Sequence, residues 1–438
     1  MEIKGVSIDS RNIREGELFV AIKGERFDGH DFVSEAMTRG AWGAMVERSA
    51  LENNYERLGV LKNMLPVEDT LLALQEMSHL HRKKFSLPVV GITGSNGKTT
   101  TKEMLAGILK QKGPVLKNEG NLNNHIGVPL TLLKLDAAHK TAAIEMGMSG
   151  LGEIDLLARL TGPTVGVITN VGPAHLEFLE TMDRIAQAKG ELLENLQADG
   201  IAVLNADDTY YATFKRRHRG RTLSFGIDQM SDVRATDIRQ GKDFTDFTIT
   251  SDDSRQDVRL SVVGRHNIYN ALAAATAAIA VGMPLEAVKY GLDGFAPVAL
   301  RSEIKRVHGR IVFADCYNAN PGSMDAALKT LVSLKAGSQQ AVAVLGDMLE
   351  LGAGTAEAHR EVGRAAMRLG VDLLITMGTL AKHMGAGALD AGMPRDRVVE
   401  ARSFTEAATL LKALTRDNDV VLVKGSRGMK MEKILEEF

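Results

Sequence analysis

Short apolar runs closed by glycine alternate with longer amphipathic stretches along most of this chain. Near the N-terminus, the runs at 18–22 (LFVAI) and 41–46 read as strands. Between them lie a turn-rich run at 23–30 (KGERFDGH) and a helical pattern over 31–39. The spacing predicts a long polar helix over 69–84, and Pro88 stops it, so a domain boundary falls there. From residue 89 the order becomes strand, glycine loop, helix, with strands at 89–93 (VVGIT), 141–145, 164–169 and 201–205. That alternation predicts a mostly parallel sheet with helices on both faces. Between 233 and 263 the period drops to 2, as in FTDFTIT and VRLSVV, which predicts an antiparallel hairpin appended to the sheet. An alanine-rich helix over 267–281 follows. The run 295–297 (FAP) marks a second boundary, after which strands at 311–314, 341–345, 373–376 and 420–423 restart the alternation.

The fold class is therefore α/β with three domains. These are a small N-terminal α/β domain at 1–85, a central parallel-sheet domain with its hairpin at 86–298, and a C-terminal Rossmann-like domain at 299–438. A length of 438 residues agrees, at roughly 150 residues per domain. Neither large domain carries a full G-x-G-x-x-G, since Gly352-Ala353-Gly354 lacks the third glycine, so a dinucleotide site is not indicated. The formal net charge of −2 argues against a chain whose main business is coating nucleic acid or an anionic membrane. One cysteine, Cys316, excludes an intramolecular disulfide and a multi-cysteine zinc site, and reads as a small buried residue. No apolar run is long enough to span a bilayer, and the first ten residues (MEIKGVSIDS) have no apolar signal core. The expectation is a cytoplasmic protein.

Candidate chemistry begins at Gly94-Ser95-Asn96-Gly97-Lys98-Thr99-Thr100, which follows a strand and opens a helix. Backbone amides in such a loop cradle phosphate oxygens, Lys98 is placed for the terminal phosphates, and the Thr99 hydroxyl for Mg²⁺. A strict P-loop carries glycine where this chain has Ile92. Glu145 and His175 stand just beyond strand ends, where ligands bind in open α/β sheets, and Glu145 there can reach a metal held by Thr99. Lys189 reads as an ordinary helical lysine. On these residues alone the chain reads as a nucleotide-binding protein, and an enzyme and a regulatory switch both stay open.

The segments TGSNGKTT, NEGNLNNHIGVPLTLL, IEMGM, TNVGPAHLE, AKGE, GRHNIYNALAA, DCYNANPGSM, LGDMLELG and KGSRGMKME occur in the order seen in Mur ligases. The chain resembles that family over nearly its whole length. The run YNANPGSM with GDMLELG is similar to the member that joins D-alanyl-D-alanine to UDP-N-acetylmuramoyl-tripeptide. The DNPR run of the diaminopimelate- or lysine-adding relative is absent.

The resemblance implies an ATP-dependent amide ligase acting through an acyl phosphate in peptidoglycan precursor synthesis. It implies that Lys98 and its loop hold the ATP phosphates. Two Mg²⁺ ions are implied, with Thr99 and Glu145 on one and His175 on the second. Lys189 resembles the family's carbamylated lysine, whose carboxylate-like end serves the second metal. Asn267 and Asn270 resemble residues facing adenine, and Arg301, Asp315, Tyr317 and Asn318 resemble nucleotide contacts from the last domain. Asn121, Asn123 and Asn124 are implied near the transferred phosphate and the peptide. Ser10, Arg11, Lys23, Asp28, Gly29 and His30 resemble a UDP-sugar site, and Lys424, Ser426 and Arg427 are candidates for the dipeptide side. Small-molecule substrates and a monomer are the implied partners and state, and domain closure over ATP is implied before chemistry.

Overall fold

The computed structural model describes residues 3–58 and 61–438. Three sheets divide the chain, with four, nine and six strands. The first runs Gly5–Ser7, Glu17–Val20, Gly43–Glu47, Met64–Val67, all parallel. The apolar runs at 18–22 and 41–46 mark its two inner strands. The outer two are short and only partly buried, so they lack an apolar run, and Pro66 is tolerated because its strand lies at an edge. Helix Thr70–Arg82 closes this domain, capped by Asp69, whose carboxylate accepts the Leu72 amide at 2.9 Å. It also ties the domain to the next one. Gln75 donates to the His125 carbonyl at 3.0 Å, and Arg82 to the Thr161 carbonyl at 3.0 Å.

The central sheet is ordered Ser254–Leu260, Thr245–Ser251, Val233–Gln240, Arg221–Gly226, Ile201–Asn205, Val165–Ile168, Val89–Thr93, Thr141–Glu145, Val115–Lys117. From Val115–Lys117 to Val233–Gln240 it is parallel, and the last two strands are antiparallel. One apolar core lies under helices Lys98–Leu109 and Arg265–Ala280, and a second under Glu153–Thr161 and Met182–Glu194. The stretch read as one hairpin is three strands. Val233–Gln240 pairs parallel with Arg221–Gly226 on one side and antiparallel with Thr245–Ser251 on the other. An alternating pattern records which face is buried but not which way a neighbour runs, so it does not count strands. The chain leaves Val89–Thr93 to build one side of the sheet and returns to build the other. The loop after that strand therefore stands at a topological switch point, where α/β sheets bind ligands.

The C-terminal sheet is ordered Glu303–Val307, Arg310–Asp315, Val420–Lys424, Ala341–Gly346, Leu373–Met377, Val398–Ala401. Only its first strand is antiparallel. The four predicted strands are the four central ones, each an unbroken apolar run because helices cover both faces. Cys316 is buried, donates to the Val423 carbonyl at 3.2 Å, and its thiol is pushed up to about 12 by burial.

Candidate active site

The carboxyl ends of the central and C-terminal sheets share one cavity of about 650 Å³. Its floor is the glycine loop. Gly94 and Gly97 have φ of 149° and 82°. A Cβ on Gly94 would stand 1.9 Å from Thr169 Oγ1, and one on Gly97 2.0 Å from Asn270 Oδ1, so both positions need glycine. Ile92 is a buried strand residue below the loop. Asn170 pins the loop from outside. Its carbonyl accepts the Ser95 amide and its Oδ1 the Asn96 amide, each at 3.0 Å. The Lys98, Thr99 and Thr100 amides open helix Lys98–Leu109 and have no intrahelical acceptor, which makes them the donors an anion needs. Lys98 Nζ donates to the Gly94 carbonyl at 2.8 Å. Burial lowers its pKa, the Glu145 charge opposes that, and Arg301 adds to the lowering.

Glu145 ends a strand buried along its whole length. Its Oε2 accepts from Thr99 Oγ1 and its Oε1 from Asn123 Nδ2, each at 2.8 Å. Asn118 brackets the Glu145 backbone on both sides, at 2.8 and 2.9 Å. Fully buried Lys102 donates to the Asn118 carbonyl at 2.5 Å, and its Nζ lies 3.9 Å from Glu145 Oε2. Among the described residues no group of three or more His, Cys, Asp or Glu side chains could hold a metal. The donor set fits Mg²⁺ nonetheless: a hydroxyl and a carboxylate, both hard oxygens, side by side at a phosphate-binding loop. Mg²⁺ commonly takes one or two carboxylates and fills its shell with phosphate oxygens and water.

His175 lines the same cavity, and its Nδ1 meets Glu350 Oε2 of the C-terminal domain at 2.7 Å. Lys189 is 1% exposed, on the inner face of helix Met182–Glu194. Burial drives its pKa well below the ordinary lysine value, with the Lys98 charge adding to the drop and Asp208 opposing it. Among the described residues its Nζ makes no hydrogen bond. Burial raises the Asp208 pKa, against two backbone amides, those of Val171 and Tyr210, that its carboxylate accepts at 2.8 Å.

The opposite wall comes from the C-terminal domain. The Arg301 guanidinium lies 3.7 Å from the Tyr317 ring centroid. Asp315 and Lys424 end neighbouring strands and pair directly, and Lys424 also donates to the Asn318 carbonyl at 2.9 Å. Burial pushes the Asp315 carboxyl up, but Lys424, His266 and the Ser302 amide together hold it below the usual range. Asn270 Nδ2 donates to Asn267 Oδ1 at 3.1 Å, on the helix facing this wall. Asp315→Ala strands a buried ammonium, so the nucleotide-free protein is expected to lose about 3 kcal/mol or more of stability. The double variant with Lys424→Met is expected to recover most of it, and thermal or denaturant melts of the three proteins check this.

Some candidates lie elsewhere. Asn123 and Asn124 line the cavity, whereas Asn121 is exposed and off its wall. Ser426 is buried, accepting the Leu349 amide at 3.0 Å, and Arg427 pairs with Glu432 at 2.8 Å; neither belongs to the wall. The N-terminal group is also outside it. Ser10 donates to Glu35 at 2.8 Å and Arg11 pairs with Asp9 at 2.9 Å. Lys23 bridges to Asp28 through the backbone, and the Asp28 carboxylate takes the amide and ring of buried His30. His30 Nε2 accepts the Glu47 amide at 2.9 Å. A Cβ on Gly29 would stand 2.6 Å from the Ile22 amide, so the turn 23–30 packs tightly on the strand end.

Sequence reasoning missed Asn320, which bonds to Asn96 at 2.8 Å across the two domains, and also Lys102, Asn118, Asn170 and Glu350. Asn320 had a signal. It precedes Pro321, and Asn followed by Pro is a helix start, seen here as a capping box with Ser323. Glu350 had none, because its partner is 175 positions away.

Three family models match the chain: Mur ligase family, catalytic domain, over residues 2–82; Mur ligase middle domain, over 92–278; and Mur ligase, glutamate ligase domain, over 300–427. Over 440 residues the chain is 38% identical to the UDP-N-acetylmuramoyl-tripeptide–D-alanyl-D-alanine ligase of Bacillus subtilis (strain 168), covering 100% of this chain and 93% of that protein. The protein of the same name from Escherichia coli (strain K12) is 38% identical over 438 residues, covering 99% and 93%. Among solved structures, MurF from Acinetobacter baumannii superposes with a TM-score of 0.90 at 34% identity, covering 100% of this chain and 93% of that one. The MurF ligase from Thermotoga maritima in complex with ADP gives 0.87 at 30%, covering 100% and 97%. A glycine loop opening a helix, a buried carboxylate and a second α/β wall closing one cavity stand beside these likenesses over the whole length: the chain belongs to the Mur ligase family.

Proposed function

We propose that this chain joins D-alanyl-D-alanine to UDP-N-acetylmuramoyl-tripeptide at the expense of ATP, in peptidoglycan precursor synthesis. The observation that carries the reading is a single cavity walled by the glycine loop on one side and by Arg301, Asp315 and Lys424 on the other. The tripeptide carboxylate attacks the γ-phosphorus of ATP, giving an acyl phosphate and ADP. The dipeptide amine then attacks the acyl carbon, the amide forms, inorganic phosphate leaves and the amine gives up a proton. Both steps gather negative charge on phosphoryl oxygens, so catalysis is mainly positioning and charge stabilisation. Lys98 and the amides at the start of its helix receive that charge. Mg²⁺ held by Thr99 and Glu145, with a second ion at His175, neutralises phosphate charge when bound. Asn123 keeps Glu145 turned to the cavity, and Asn124 stands beside the peptide.

Lys189 is the position for carbamylation. Its neutral amine attacks CO₂, forming N–C and releasing a proton, which turns a buried amine without a hydrogen-bond partner among the described residues into a carboxylate facing Lys98. Asn267 and Asn270 hold adenine, with Arg301, Tyr317 and Asn318 on the nucleotide. Ser10, Arg11, Lys23, Asp28, Gly29 and His30 serve the UDP-sugar, Asn121 the peptide approach, and Lys424, Ser426 and Arg427 the dipeptide side. The domains divide at about residues 86 and 299 into these three tasks. Among the described residues no helix is long and apolar enough to cross a membrane. A cytoplasmic monomer acting on small molecules, and not on nucleic acid, completes the reading.

With UDP-linked muramoyl-tripeptide, ATP and Mg²⁺, phosphate release is expected to depend on D-alanyl-D-alanine. Release with meso-diaminopimelate or lysine on the shorter precursor, or no acceptor dependence at all, would count against it.

A further inference from the structure

We infer that Glu350 is a positioning residue for His175. Its carboxylate, brought in by the C-terminal domain, fixes the imidazole with hydrogen on Nδ1 and leaves Nε2 as the nitrogen offered to the cavity. The inference rests on the ligase reading of that cavity. A carboxylate only accepts, so the 2.7 Å contact between Glu350 Oε2 and His175 Nδ1 places the proton on Nδ1. Nε2 is the nitrogen that remains, and His175 forms part of the cavity wall.

The contact is built rather than incidental. Glu350 and His175 have φ of 63° and 58°, both left-handed conformations that side-chain-bearing residues rarely adopt. Such strain persists where the surroundings over-determine it, and it clusters at functional positions. Here the surroundings are explicit. Asp347 Oδ1 accepts the Leu380 and Ala381 amides at 3.0 and 2.7 Å. The Met348 amide donates to His359 Nε2 at 3.0 Å, and the Leu349 amide to Ser426 Oγ at 3.0 Å. Three successive residues are thus tied to three different regions of the C-terminal domain, and the fourth is Glu350. The Glu350 carbonyl then accepts the Glu177 amide at 3.2 Å, two residues past His175. Gly352, at φ 62°, lets the two backbones meet, since a Cβ there would stand 3.1 Å from Glu177 Cα. The pair is itself partly exposed, with half of the Glu350 side chain accessible, so its geometry rests on this scaffold and not on burial. Carboxylates that take the outer proton of an imidazole set its tautomer and ring orientation for whatever the inner nitrogen binds. Because Glu350 belongs to the C-terminal domain, His175 acquires this orientation only when that domain is seated on the central one. Seating the domain and finishing the phosphate end of the cavity then become one event.

The test is ¹⁵N–¹H NMR of the full-length chain with labelled histidine, bound to ADP, with His175 assigned through His175→Gln. The expected wild-type spectrum shows Nδ1 protonated and Nε2 bare. Glu350→Ala is expected to move the proton to Nε2 and to lower kcat about tenfold or more, with KM for ATP changed less than about twofold. Glu350→Gln keeps an acceptor oxygen and is expected to retain the tautomer and most of kcat. An unchanged His175 spectrum in Glu350→Ala, or an unchanged kcat in that variant, overturns the inference. The tautomer is read without turnover, so a wild type that showed no dipeptide-dependent activity would defeat the ligase reading while leaving this result to be judged by itself.

Discussion

Lys98→Ala is expected to abolish dipeptide-dependent phosphate release, a fall of about a thousandfold or more in kcat at saturating ATP. Single neutral donors at preorganised sites are worth about a hundred- to a thousandfold. Lys98 contributes a full charge from a wall where burial strengthens every electrostatic interaction. The loop amides remain in the variant, so nucleotide binding is expected to weaken less than chemistry. Stability should not suffer. The ammonium is disfavoured by burial and among the described residues has a single hydrogen bond, to Gly94, and no ion pair, so its removal breaks no pair, whereas Asp315→Ala strands the Lys424 ammonium. Phosphate release, ADP binding and a thermal melt on the same preparation separate these effects. Turnover within tenfold of wild type would remove Lys98 from the mechanism.

The second large effect is expected at Lys189. Lys189→Ala should lose about a hundredfold or more in kcat and regain some of it with added formate or acetate. The reasoning starts from burial. A lysine that is 1% exposed, without a hydrogen-bond partner among the described residues, is costly as an ammonium, which is why its pKa falls well below the ordinary value. That fall enlarges the fraction of neutral amine near neutral pH, and the neutral amine is the form that attacks CO₂. Lys98 helps lower the pKa while the group is cationic. Once the group carries a carboxylate, the same Lys98 charge attracts it. A short carboxylate diffusing into the space left by alanine can mimic the end of the modified side chain but not its attachment, so rescue is partial. Full activity in Lys189→Ala, or impairment untouched by any small carboxylate, would refute the assignment.

The same sign rule bears on stability. With the folded-state pKa of unmodified Lys189 below its unfolded value, the unfolded chain binds the extra proton between the two. This group's contribution therefore makes folding more favourable as pH rises through that window, up to the ordinary lysine value.

Much of this molecule was legible in one dimension. The strands 89–93, 141–145 and 201–205 coincide with Val89–Thr93, Thr141–Glu145 and Ile201–Asn205 because a strand covered on both faces must be apolar throughout. The glycine loop could be singled out because its candidate chemistry is contiguous: two glycines, a lysine and a threonine within six positions, between a strand and a helix. Glu145 could be flagged by its place at a strand end. The three-strand count at 233–260 and the outer strands of the first sheet were not legible, since short or half-exposed strands carry no distinctive run.

The sequence by itself determined the α/β class and the order of the segments, and it singled out the glycine loop as the candidate phosphate site, all of which follow from residues close together along the chain. Only the tertiary structure decided which distant groups share an environment. It set Asp315 against Lys424, Asn320 against Asn96 and Glu350 against His175, and it left Lys189 1% exposed with no hydrogen-bond partner among the described residues. The physical reason is common to all four. Charge pairing and desolvation depend on separations of a few ångströms in space, and residues far apart along the chain leave no periodicity that records them. Lys189 shows it most plainly: its own residues read as an ordinary lysine on an amphipathic helix, the family resemblance alone singles it out, and burial near Lys98 and Asp208 supplies the physical reason.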